Sequence, residues 1–240
     1  MLFRSLAVSN WLDHTVTILD AETDTPVARL LVADARTPRG LAFTPDGRSL
    51  LVAWFGTGEL TRHTVPHAPA ESAGSSEPAA PPDPTGSSEP AAWAPAGRLH
   101  IGGALRHIAV HPDGTFAYIS NMAARQVHAV DLSTLTVRGS VRVDSNPNTI
   151  VLDREGATLY VSCRGPNNPD GYELRSPEPG SIYVIDTATL TTREVIPAGT
   201  QPTGLALSPD GRRLASTSFQ DDEVVVYSVP PAGRAARPDG

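Results

Sequence analysis

Short apolar runs separated by polar turns recur along the whole chain. Four turn tetrads stand out: TPDG at 44–47, HPDG at 111–114, DREG at 153–156 and SPDG at 208–211. Each follows one short apolar run (GLAF, HIAV, TIVL, GLAL) and precedes another (SLLVAW, FAYISN, TLYVSC, RLASTS). Proline presets φ at the first central position of such a turn, aspartate tolerates the second, and glycine adopts positive φ to close the hairpin. Runs of this length bounded by turn residues predict strands. A third run ends in aspartate in TVTILD (Asp20), VHAVD (Asp131) and IYVID (Asp186), and recurs as VVVYS near the C-terminus without it. Aspartate followed by Thr23, Thr134 or Thr189 suits a side-chain-capped turn. A fourth run leads outward as VARLLVA, TVRGSVRV and TREVIPA.

The register is regular. Gly47, Gly114, Gly156 and Gly211 lie 67, 42 and 55 residues apart, and Trp54, Asn121, Cys163 and Ser218 keep that spacing. With 42 as the basic period, the surpluses predict two insertions. One is the Pro/Ala/Ser/Glu tract at 66–96, which holds GSSEPAA twice and is expected to be disordered, because such a composition buries too little to offset its ordering. The other is the polar, turn-rich loop at 164–180, RGPNNPDGYELRSPEPG. Four strands per period of about 42 residues are the signature of a propeller blade, WD40-like in length. The fold expected is all-β: one β-propeller domain over 1–240, built of four-stranded antiparallel blades, with a flexible tail at 230–240. About five blades are present, short or incomplete against a seven-bladed ring. The expected strand count is about eighteen, where seven blades would need about twenty-eight. The start at Met1, directly before a strand, reads as an internal start or a truncated gene; the chain either closes as an unusual five-bladed ring or, the favoured expectation, forms an open arc missing about two blades. Such an arc leaves unpaired strand edges and apolar blade faces, so self-association through them is expected.

The strand pattern in YVSC, AYISN and LAVSN, the SPDG turns and the VID–T–T strand ends resemble the YVTN-repeat β-propellers, the YncE-like or surface-layer-like family. The resemblance covers nearly the whole chain outside 66–96. It implies blades in a ring, usually of seven, and it shades into lactonase-like and haem-d1-domain-like propellers.

Composition narrows the partners. Net charge is −7, and arginine is spread singly through the repeats. A nucleic-acid binder carries a basic stripe, so no nucleic-acid partner is expected. No run of 18 apolar residues suggests a membrane span. Arg4, Ser5, Ser9 and Asn10 interrupt any signal-peptide h-region, which as the chain stands places it in the cytoplasm, although related propellers are often exported. The single cysteine, Cys163, excludes an intramolecular disulfide and reads as a small packed residue.

Candidate chemistry concentrates where the innermost strands begin, at one mouth of the central channel. There the repeat places Arg39, Arg106, His107, Asn148 and Thr203. Guanidinium forks suit carboxylate and phosphate, so these residues are candidates for a polar or anionic ligand, against the favoured reading that they tie adjacent blades to one another or to backbone carbonyls. In the insertion, Arg164, Asn167, Asn168 and Tyr172 offer a polar surface for a lid or a partner contact. The pairs His63/His67 and His107/His111 are excluded as metal sites, since four residues of strand span about 13 Å, too far for one ion. No cofactor and no catalytic residue are assigned. The leading expectation is a non-enzymatic binding or scaffold propeller recognising a protein or small molecule. The alternatives are a lactonase-like hydrolase, using channel-mouth Arg and His to polarise a carbonyl, and a cofactor-holding propeller resembling a haem d1 domain.

Overall fold

The repeated turns form as their chemistry dictates. The computed structural model describes residues 5–66 and 93–230, with 237–238 in backbone alone. In the first turn Thr44 Oγ1 donates to Asp46 Oδ1 at 2.5 Å, and Arg48 N reaches the same carboxylate at 3.0 Å. Ser208 Oγ and Asp210 repeat the pair at 2.6 Å. Gly47, Gly114, Gly156 and Gly211 all hold φ between 70° and 76°. The hydroxyls of Thr44, Thr115 and Ser208 hold Asp46, Asp113 and Asp210 below the usual carboxylate range, so these aspartates are spent on turns.

Five antiparallel sheets follow one another. The first contains β1 (Ser5–Asn10), β2 (Thr15–Asp20) and β3 (Pro26–Leu30). The second contains β4 (Pro38–Phe43), β5 (Ser49–Trp54), β6 (Glu59–Thr64) and β7 (Pro95–His100). The third runs β8 (Leu105–Val110), β9 (Phe116–Asn121), β10 (Gln126–Asp131) and β11 (Thr136–Arg142). The fourth runs β12 (Pro147–Leu152), β13 (Thr158–Cys163), β14 (Ser181–Asp186) and β15 (Thr191–Pro197). The fifth has β16 (Pro202–Leu207), β17 (Arg213–Ser218), β18 (Glu223–Ser228) and the two-residue β19 (Arg237–Pro238). These are the expected blades.

Two boundaries differ from expectation. Arg237–Pro238 pairs with Tyr227 and Ser228 as a short outer strand, so part of the 230–240 tail joins a sheet. The low-complexity tract ends earlier than its composition suggests. Trp93 is buried and its ring meets Phe43 edge-on at 6.3 Å, and β7 starts at Pro95. One large apolar ring after a polar stretch is enough to anchor the chain to the core. Residues 67–92, which hold most of that tract and His67, lie outside the described residues.

Asp20, Asp131 and Asp186 cap their turns through Oδ1, which accepts from Thr23 N, Thr134 N and Thr189 N at 2.9–3.1 Å. The two later turns end in Leu135 and Leu190 at positive φ. Their side chains press on Gly97 and Gly139 of the preceding sheets, where an added Cβ would come within 2.8 Å. A Cβ there would push the leucine ends aside, so each turn packs one blade closely against the last.

Neighbouring inner strands pack side by side: β1 on β4, β4 on β8, β8 on β12, and β12 on β16. The three middle sheets are covered on both faces, and β9 and β13 are buried almost throughout. The outer sheets are covered on one. Leu6, Val8 and Val27 stay exposed on the first, and Val224 on the last. Among the described residues no helix is long and apolar enough to cross a membrane.

Three histidines lie between the sheets. Burial pushes His63, His107 and His128 below the ordinary imidazole range. An unfolded histidine takes up its proton near pH 6.5. Below that pH the unfolded chain binds more protons than the folded one, so stability present above pH 6.5 is lost as pH falls. Thermal melts should therefore show Tm falling between pH 7 and 5. A flat profile would mean that these rings protonate without cost.

Candidate functional site

The inner strands do not pair evenly with their neighbours. Register shifts after Pro38, Leu105, Pro147 and Pro202, leaving one or two residues in a bulge at the start of each strand. A bulge re-aims a side chain that regular pleating would direct elsewhere. Arg39, Arg106, Asn148 and Thr203 occupy these equivalent positions. The bulged backbone is satisfied by a hydroxyl on the adjacent strand: Ser120 Oγ accepts from His107 N at 3.1 Å, Ser162 Oγ from Thr149 N at 3.1 Å, and Thr217 Oγ1 from Gly204 N at 2.8 Å. Ser120 Oγ also donates to Asn148 O at 2.8 Å, and Ser162 Oγ to Thr203 O at 3.2 Å. Each serine thus joins its own bulge to the next sheet's.

Side chains at this end converge across sheets. Arg106 Nε donates to Asn148 Oδ1 at 2.7 Å. Arg39 lies with its guanidinium carbon 3.6 Å from the Trp11 ring centre and 5.1 Å from that of Phe55. Burial first, and then the positive charge of Arg164, hold Arg39 below the usual guanidinium value. Arg164 is itself lowered by burial, and its Nη2 donates to Gln201 Oε1. His107 is neutral. Ile150 N donates to its Nδ1 at 3.4 Å, which leaves the ring proton on Nε2.

The polar bookkeeping at this end is one-sided. Arg39 Nε, Asn148 Nδ2, Arg164 Nε and Gln201 Nε2 are four of the seven buried side-chain polar atoms that lack a partner among the described residues, and all four bear N–H. Asn148 and Gln201 are almost wholly buried, at 2% and 0% exposure. Their amide oxygens already serve arginines, so their N–H groups are what remains. An unsatisfied buried donor costs about 1–3 kcal/mol, and such costs gather where a site is kept ready for a ligand. What this arrangement can hold is a group rich in acceptors and negative in charge.

Of the residues expected from sequence, Arg106 and Asn148 bond to each other, and Arg39 packs on Trp11 and Phe55 within electrostatic reach of Arg164. His107 stands beside them. Thr203 does not join, because its hydroxyl pairs with Thr217 Oγ1 at 3.1 Å within its own sheet. In the insertion only Arg164 enters the cluster. Asn168 is used inside the loop, donating to Arg175 O at 2.8 Å. Asn167 only accepts from Asn146 Nδ2 at 3.4 Å, and Tyr172 is exposed and donates to Glu173 at 3.1 Å. Gln201, Trp11 and Phe55 were missed. The one signal for Gln201 is that, like Thr37 and Asn146, it precedes the first proline of an inner strand, and all three hold φ of 53–59°. Cys163 is fully buried and its thiol is pushed up to about 12, chiefly by that burial, so it stays protonated and is no nucleophile.

Fold and site together define the class: a β-propeller with hydrogen-bond donors gathered at and beside the bulged starts of its inner strands. The chain belongs to the lactonase family of seven-bladed β-propellers, whose profile matches residues 86–236. It is 34% identical over 220 residues to antigen Lp49 of Leptospira interrogans, a match spanning 91% of this chain and 44% of that protein. It is 26% identical over 134 residues to a 6-phosphogluconolactonase of Erwinia tasmaniensis, spanning 53% and 39%. The chain thus spans less than half the length of the curated relatives it matches. Solved structures agree on the fold. A Bacteroides uniformis protein provisionally assigned as a 6-phosphogluconolactonase superposes with a TM-score of 0.71 at 16% identity, covering 99% of this chain and 67% of that one. Hydrazine synthase of Kuenenia stuttgartiensis gives 0.70 at 18% identity, covering 98% and 58%.

The expectation of a non-enzymatic scaffold is corrected by these matches. A family of lactonases, with a 6-phosphogluconolactonase among the relatives, supports the hydrolase held as the alternative. The repeat resemblance was right about the propeller, and the family that matches is the lactonase one.

Proposed function

We propose that this chain carries the substrate-holding and carbonyl-polarising groups of a lactone hydrolase. The observation that carries this reading is the set of four unpartnered buried donors on Arg39, Asn148, Arg164 and Gln201. A lactone offers acceptors at its carbonyl and ring oxygens. When water adds to the carbonyl carbon, negative charge develops on the carbonyl oxygen. The ring C–O bond then breaks to leave a hydroxyl and a carboxylate. Donors fixed in a water-poor setting stabilise that developing charge without reorganising, which is where most such rate enhancement arises. Two guanidiniums favour substrates already carrying an anionic group, and the phosphorylated sugar lactone named for one relative fits that description.

The test is ring opening followed as acid release, with gluconolactone and its 6-phosphate among a panel of lactones. The chain should accelerate opening of an anionic lactone at least a hundredfold over buffer, and the anionic member should be preferred. No acceleration with any lactone would overturn the reading.

A further inference from the structure

The insertion at 164–180 grips the donor cluster from two sides. In the other sheets the turn between the second and third strands is short, as at 55–58, 122–125 and 219–222. In the fourth sheet it runs from the end of β13 to the start of β14, and its two limbs reach Gln201 and, beside it, Thr200. On one side Arg164 Nη2 donates to Gln201 Oε1. On the other, Arg175 Nη2 donates to Thr200 Oγ1 at 3.0 Å and to Asp221 Oδ1 at 2.6 Å, while Asp221 Oδ2 accepts from Thr200 N. Arg175 Nη1 donates to Gln220 O at 3.1 Å. Gln220 closes the clasp, its Oε1 accepting from Ser176 N and its Nε2 donating to Leu174 O, both at 2.7 Å.

Gln201 sits inside this clasp at a φ of 53°, a conformation disfavoured for its side chain, and Phe219 N donates to its carbonyl at 3.1 Å. Such a backbone persists only where its surroundings over-determine it. Arg164 fixes the amide oxygen, so the amide nitrogen points away from it, and that nitrogen is one of the unpartnered donors.

We infer that Arg175 is a positioning residue. Through Thr200 and Asp221 it fixes the backbone of Gln201, and thereby the direction in which the Gln201 amide N–H meets a ligand acceptor. The insertion is then a specificity strap for the mouth. This rests on the lactone reading only for the identity of the acceptor.

Two readouts test it: the side-chain amide signals of Gln201 in a ¹⁵N-labelled chain, and the kinetics of the best lactone from the panel. Gln201→Leu deletes one amide pair and so assigns it. Arg175→Ala should shift or broaden that pair and raise KM about tenfold, with kcat changed less. Arg175→Lys keeps the charge but not the planar fork, and should move both readouts part of the way. Arg48→Ala, at the opposite end of the blade, should move neither. If Arg175→Ala fails to fold, Arg175→Lys carries the test. Gln201 signals unmoved in the folded Arg175 variants would overturn the inference. If the unmodified chain opens no lactone, the lactone reading falls, and the amide signals still decide the role of Arg175.

Discussion

Replacing Trp54 by alanine should lower the unfolding free energy by about 3–5 kcal/mol, the range for deleting a large buried aromatic side chain. For a chain of this size that is a fall in Tm of about 10 °C. Trp54 is fully buried between the first and second sheets, among Val16, Ile18, Leu30 and Leu50. It is also the head of a buried polar chain. Its Nε1 donates to Thr61 Oγ1 at 2.9 Å, that hydroxyl meets His63 Nε2 at 2.9 Å, and His63 Nδ1 meets Trp93 O at 3.1 Å. Trp54→Phe keeps most of the volume but removes one of the two partners of the Thr61 hydroxyl, which keeps its bond to His63, and should cost about 1 kcal/mol. Thermal and denaturant unfolding of the two variants separates packing from hydrogen bonding. A loss below 1 kcal/mol for Trp54→Ala would mean that this interface does not hold the first two sheets together.

The second large effect is on activity. Arg39→Ala combined with Arg164→Ala should reduce kcat/KM for an anionic lactone by about a thousandfold. Truncating one buried charged partner costs about 2–5 kcal/mol, and each 1.4 kcal/mol is tenfold. The same double variant should keep its Tm within about 3 °C. What it gives up is the stacking of Arg39 on Trp11 and the bond from Arg164 to Gln201. What it gains is relief from two desolvated cations within electrostatic reach of each other. A large loss of activity with stability kept marks residues held for function more than for the fold. A fall in Tm beyond about 10 °C, with activity falling in proportion to the unfolded fraction, would show that the arginines merely tie blades together.

The blades were legible because their turns are chemically narrow. A Pro-Asp-Gly tetrad and an Asp–Thr cap each admit few alternatives, and four repetitions fix the period. The equivalence of Arg39, Arg106 and Asn148 was legible for the same reason, since all three fall at the bulged start of an inner strand. Gln201 and Trp11 were not. Their roles depend on contacts between different sheets, Gln201 with Arg164 and Trp11 with Arg39, and nothing local in sequence encodes that adjacency. Trp93 was hidden by the composition around it. The function was misjudged because the repeat carries structure at every blade, while the donors that distinguish this chain differ from sheet to sheet.

The donor cluster draws on every sheet. Trp11 belongs to the turn after β1, Arg39 to β4, Arg106 to β8, Asn148 to β12, and Gln201 immediately precedes β16. The sheets are stacked in series, and among the described residues the first and last leave Leu6, Val8, Val27 and Val224 exposed. Units at the ends of such a stack open at lower free energy than those inside. A ligand bridging Arg39, Asn148 and Gln201 would act as a keystone, because it binds only while the outer sheets stay in place against the inner ones. By mass action it would stabilise the whole row in proportion to its own concentration over Kd. Occupancy and the integrity of the row of sheets would then be two faces of one equilibrium.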